Sequence, residues 1–135
     1  MKKFLTTKYS PLAFNIGMLT LRVMLGVLLM HHGYAKLIRH GEIKNSFMSF
    51  MGMSSTTSLY LILFAELICG LFLILGLFTR FACVPIIIGM FVAGFVAMNG
   101  DIFGKAELPI FYMVAAWTIL LCGPGKISVD GMIGK

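Results

Sequence analysis

Four stretches of about 20 residues, at about 14–36, 57–78, 81–98 and 104–122, are apolar and almost uncharged, and they decide what this chain can fold into, because a helix of that length crosses the hydrocarbon of a bilayer. Charge, glycine or a polar cluster bounds each of them. The last has an apolar core of only about 15 residues, or about 22 Å as a helix, so it is expected to begin near Phe103 or to sit in a thinned or protein-covered part of the bilayer. Composition agrees: of 135 residues, 59% are hydrophobic and 12% charged, and mean hydropathy is +0.97. A soluble domain of this size buries too little surface to hide so much apolar side chain. Disorder, a collagen-like repeat and an ordinary soluble enzyme are excluded. The expected fold class is all-α, an integral-membrane four-helix bundle formed as one domain over residues 1–135, with the lipid bilayer as its main surroundings.

The net charge of +6 does not point to nucleic acid, since no basic run exceeds Lys2-Lys3 and no aromatic residues interleave with basic ones. It fits cations flanking membrane spans. Lys2, Lys3, Lys8, Arg80, Lys126 and Lys135 fall on one side, against Lys36, Arg39, Lys44 and Lys105 on the other, which places both termini in the cytoplasm. The first span is read as retained, because its apolar run continues past the length of a cleavable signal to the Lys36 flank. Spans two and three are joined by little more than Thr79-Arg80, a tight hairpin. Between spans one and two, Phe47, Met48, Phe50, Met51 and Met53 follow Glu42 and Lys44, a pattern for a short interfacial helix or a cap on the bundle mouth. Gly89, Ala93 and Ala97 give span three a small-residue face for helix packing, within the bundle or with a partner chain. Cys69, Cys83 and Cys122 lie in or beside apolar runs with no C-x-x-C pair, as small hydrophobes do.

Arg22 and Glu66 are charges well inside spans. An isolated charge at mid-bilayer costs at least about 2.5–3.5 kcal/mol, so each requires a partner or a wet cavity. Counted from the span ends, Arg22 is about 12 Å and Glu66 about 18 Å from the same side, a gap that a guanidinium stem covers, and an Arg22–Glu66 ion pair at the bundle centre is therefore expected. Such a pair either fixes helix register or forms part of a functional site. Near the other end of span one, His32 and Lys36 are one turn apart, and His31 points about 100° away from His32. Spans two to four contain no histidine, which argues against a haem held by two histidines within one chain, and no metal, iron–sulfur or nucleotide motif is present.

The segments Arg22-x-x-x-Gly26, His32-Gly33-x-x-Lys36-Leu37, Glu66-x-x-x-Gly70, Leu75-Gly76-Leu77-x-Thr79-Arg80 and Gly123-Pro124-Gly125-x-x-Ser128-x-Asp130 together resemble the DoxX family of small bacterial membrane proteins. The resemblance implies a four-helix bundle in the bacterial cytoplasmic (inner) membrane. It also implies a likeness to DoxD, the membrane subunit of thiosulfate:quinone oxidoreductase, and to relatives associated with membrane oxidoreductase or thiol-stress complexes. Arg22, His32, Lys36, Glu66 and Arg80 match the family pattern. Two functional readings follow. One is a subunit of a quinone-linked oxidoreductase, with Glu66, Arg22 and His32 as catalytic candidates and Arg22, His32, Lys36 and Glu66 lining a quinone pocket. The other is a non-catalytic scaffold that anchors a larger membrane complex. Other protein subunits or a homo-oligomer are the expected partners.

Overall fold

The computed structural model describes residues 2–43, 54–97, 100–101 and 103–134. The described residues are all-helical. Helix α1 (Pro11–Ile38) starts where Ser10 turns its hydroxyl back to accept from the Ala13 amide, with Pro11 in the first turn, where its missing N–H costs nothing. Helix α2 (Ser55–Leu75) is capped in the same way by Ser54, which accepts from Thr57. These two helices are long and apolar enough to cross a membrane. Helix α3 (Thr79–Phe95) and helix α4 (Glu107–Cys122) are apolar too but shorter. A final turn, α5 (Val129–Ile133), closes the chain, and a single helical turn, His40–Ile43, follows α1. The interfacial helix expected around Phe47 to Met53 lies outside the described residues.

Helix α4 begins at Glu107, later than the sequence pattern suggests. Asp101 is the reason: its backbone carbonyl accepts from the Gly104 and Ala106 amides, holding the preceding residues in turns. The α2–α3 hairpin turns on Gly76, which adopts a left-handed conformation (φ 71°). The Leu77 amide reaches the Phe72 carbonyl at 2.9 Å and the Gly76 amide reaches that of Leu73 at 3.2 Å, the pair of bonds that ends a helix on a glycine.

One apolar core joins all four long helices: Met18, Leu25 and Leu29 of α1, Cys69 and Leu73 of α2, Cys83, Ile86 and Met90 of α3, and Tyr112, Ala116 and Ile119 of α4. Helix α3 packs mainly on α4, and α1 on the second half of α2. Outward faces carry Met24, Leu61, Phe64, Ile88, Phe111 and Trp117, large apolar side chains suited to lipid. Gly89 faces Ile62 of α2, and Gly94 faces Ile110 of α4, so small residues of α3 serve packing within the molecule.

Glycine also sets the α1–α2 contact. A methyl group on Gly26 would lie 2.6 Å from the Gly70 carbonyl oxygen, and one on Gly33 would lie 3.0 Å from Cβ of Glu66. The two backbones approach as closely as only hydrogen side chains allow. Two segments depart from α-helical hydrogen bonding: Phe64–Ile68 in α2 and Val92–Ala97, overlapping the end of α3, are π-helical. In the first, the Cys69 amide donates to the Phe64 carbonyl five residues back, and Glu66 sits in the middle of the widened turn.

Candidate functional site

On α1 the residues Arg22, Gly26, Leu29, Gly33 and Lys36 recur at alternating intervals of four and three, which lines them up on one face. The first four are buried. The stripe faces α2, with Arg22 and Lys36 at its ends, about 21 Å apart along the axis.

Near the C-terminal end of the stripe, Lys36 Nζ donates to Glu66 Oε1 at 2.6 Å. The Glu66 side chain is 3% exposed and that of Lys36 31%, so the pair joins a buried carboxylate to an ammonium that still reaches the surface. The ion pair expected between Arg22 and Glu66 is therefore not formed; Glu66 pairs with Lys36 instead. Side-chain direction explains the correction. Helical side chains lean toward the N-terminus of their own helix. Lys36 thus extends back over the Gly33 turn, where Glu66 lies, while Arg22 extends away from Glu66 toward the other end of the molecule. Depth counting from span ends carries no such direction.

Arg22 is 1% exposed. Its guanidinium donates to the Pro124 carbonyl at 2.6 Å and to that of Ile127 at 2.9 Å, and it lies beside Gly76. This is where α2 and α4 both end, so the cation meets the negative ends of two helix dipoles as well as loop carbonyls. Asp130 completes this end. Its carboxylate accepts from the Phe78 and Thr79 amides at 2.8 Å each, capping α3 from about 50 residues away, and its own amide donates to Gly76. Partial burial pushes the Asp130 carboxyl up, but the Thr79 and Phe78 amides and the Arg22 charge outweigh it and hold the group below the usual carboxylate range. Ser128 accepts from Gly131 and donates to Gly125, and Asn15 accepts from the Lys126 amide. Arg80 lies against Gly123. Arg22, Ser128 and Asp130 thus knit one end of the helices together, and Arg22 is separated from the Lys36–Glu66 pair.

The other predicted residue joins that pair. His32, one turn before Lys36, lies within electrostatic reach of Glu66 and packs its ring edge-on to Tyr112 of α4, centroids 5.8 Å apart. His31 is exposed. The sequence reading missed Tyr112, which is 4% exposed and also within reach of the Glu66 charge. A signal was available: Tyr112, Ala115, Ala116 and Ile119 form the buried stripe of α4, and a phenol is the polar member of it. Four side chains from three helices therefore gather at one end: Lys36 and His32 from α1, Glu66 from α2 and Tyr112 from α4. Glu66 Oε2 is buried and has no hydrogen-bond partner among the described residues. A buried carboxylate with one oxygen neutralised and one free can accept a hydrogen bond or take a proton.

Among the described residues, no group of three or more His, Cys, Asp or Glu side chains is placed to hold a metal ion. No curated protein and no solved structure matches the chain. The family model for DoxX matches residues 17–99, a stretch that contains Arg22, His32, Lys36 and Glu66, together with the glycines of the α1–α2 crossing. Its apolar helices and this match make the chain a membrane protein, and with more than half of its length covered it belongs to the DoxX family.

Proposed function

We propose that the protein is a small integral-membrane subunit of a quinone-linked oxidoreductase system. Its four long helices cross the bacterial cytoplasmic membrane as a bundle with both termini inside. Lys36, Glu66, His32 and Tyr112 form the polar end of a quinone pocket in the outer half. The observation that carries this reading is Glu66, a carboxylate held in an apolar helix with one oxygen paired to Lys36 and the other without a hydrogen-bond partner among the described residues. An intramembrane carboxylate is costly, and its retention beside His32 and Tyr112 suits a site that handles protons.

The residues fit a quinone. When bound, it supplies a two-electron, two-proton acceptor. Lys36 keeps N–H donors beyond the one spent on Glu66 and reaches the surface, so it can both orient a ring oxygen and exchange protons with water. Glu66, ionised beside Lys36, offers Oε2 as the acceptor for a proton that the bound ligand gives up, and His32 stands one turn from Lys36 as a further proton carrier. Leu67 packs beside Glu66 against Gly33, and the buried Leu29 lies one turn before Gly33 on the same α1 face, so apolar side chains border this end. Electrons come from a partner subunit or directly from substrate.

The scaffold reading has its own support: Arg22 and Asp130 are engaged in tying chain ends together, and Lys36–Glu66 clasps α1 to α2. Native purification of the tagged full chain in mild detergent, with extraction and mass spectrometry of bound lipids and proteins, separates the two. Near-stoichiometric quinone in wild type, lost in a folded Glu66→Gln protein, is the expected result. A stable protein complex without quinone would instead establish the scaffold.

A further inference from the structure

Hydrogen-bonding polarity at Glu66 says more than that a quinoid ligand fits. We propose that the site selects the reduced, hydroxyl-bearing form of that ligand over the oxidised dicarbonyl form, with Glu66 Oε2 as the atom that tells them apart. The inference rests on the quinone reading given above. Glu66 Oε1 already accepts from Lys36 at 2.6 Å, and Oε2 is buried and unpartnered among the described residues. A charge-paired carboxylate is an acceptor only. While the carboxylate stays ionised beside Lys36, its free oxygen in this apolar setting pays a desolvation cost that a hydrogen-bond donor relieves. A ligand hydroxyl is such a donor. A ligand carbonyl brings its own lone pairs to the same place and leaves the oxygen unsatisfied, with repulsion added.

The other polar groups do not reverse the preference. The Lys36 ammonium serves a carbonyl and a hydroxyl oxygen alike, since both have lone pairs. Tyr112 and a neutral His32 each carry a donor and an acceptor, so they discriminate weakly. Glu66 is thus the one member of the cluster whose chemistry matches only one redox form. A hydrogen bond to a buried charged group corresponds to at least about tenfold in affinity. By linkage, a bound couple whose reduced form is favoured is a stronger oxidant than the same couple free in the membrane.

The test is anaerobic equilibrium dialysis of the full wild-type chain in mild detergent against three probes of nearly the same shape: a short-chain benzoquinone, its hydroquinone, and the dimethyl ether of that hydroquinone, which keeps the oxygens and lacks the donors. The expected result is a hydroquinone dissociation constant at least about tenfold below that of the quinone, with the dimethyl ether no better than the quinone. In Glu66→Gln, whose amide also donates, the ratio moves toward one. Equal or tighter binding of the quinone, or equally tight binding of the dimethyl ether, overturns the proposal while leaving the quinone reading in place. Binding of none of the three removes both. Because the ether comparison is made on the wild-type protein, the outcome does not depend on the folding of the variant.

Discussion

The partner exchange at Glu66 is open to a direct energetic test. Lys36→Met would leave a carboxylate that is 3% exposed without its cation, and removing one member of a buried pair costs about 3–5 kcal/mol. Here the value should fall at the low end, about 3 kcal/mol, because Lys36 is 31% exposed and the pair is therefore only partly desolvated. Glu66→Gln should cost less, about 1–2 kcal/mol, since the remaining ammonium can turn its stem outward and keep its hydration. The double variant should then resemble Glu66→Gln alone, which makes the coupling between the two positions equal to the Lys36→Met cost, about 3 kcal/mol. Arg22 and Glu66 should not couple. The guanidinium lies beside Gly76, ten residues and so about 15 Å along α2 from Glu66, and independent sites at that distance add to within about 0.5 kcal/mol. The assay is reversible unfolding in mixed micelles, followed by the fluorescence of Trp117 and by helicity, for both double-mutant cycles. A coupling below about 0.5 kcal/mol for Lys36–Glu66, or above about 1 kcal/mol for Arg22–Glu66, would refute the assignment of partners.

Other perturbations probe the rest of the fold. Asp130→Ala strips the Phe78 and Thr79 amides of their acceptor and should destabilise by about 1–2 kcal/mol. Because the folded Asp130 carboxyl lies below the usual range, its contribution is fully present above the unfolded value of about 3.9 and is lost as pH falls through the folded one; the gap between wild type and Asp130→Ala should therefore close in acid, and a gap that widens there would contradict the capping role. Gly26→Ala brings a methyl group to within 2.6 Å of the Gly70 oxygen and 2.7 Å of Ile74 Cγ1 and should cost about 1–3 kcal/mol, whereas Gly17→Ala, with nothing within 4 Å, should be neutral or stabilising; equal thermal midpoints for the two would show that the helices do not cross so closely. Maleimide should label Cys122 in the folded protein and reach Cys69 and Cys83 only on unfolding, as counted by intact mass.

Much of this molecule is legible in its order of residues. Runs of apolar side chains specify helices and the surroundings they face, because a backbone in hydrocarbon must satisfy its hydrogen bonds within the segment. Ser10-Pro11, Ser54 and Gly76 mark helix ends because their side chains, or the lack of one, suit the capping geometry. The charges inside the apolar runs are equally plain, and Arg22, His32, Lys36 and Glu66 stand out for that reason alone. Which of them meet is another matter. A linear count of depth makes Arg22 the natural partner of Glu66, yet the close crossing at Gly26 and Gly70 and the lean of helical side chains bring Lys36 there instead and send Arg22 to the ends of α2 and α4. Tyr112 enters the cluster only because α4 packs its buried stripe against the same core. Asp130 becomes a cap for α3 only because α5 folds back on the hairpin. Secondary structure and burial depend on local pattern, which one dimension records. Pairing depends on the register and direction of side chains across helices far apart in sequence, and those are settled only when the helices pack.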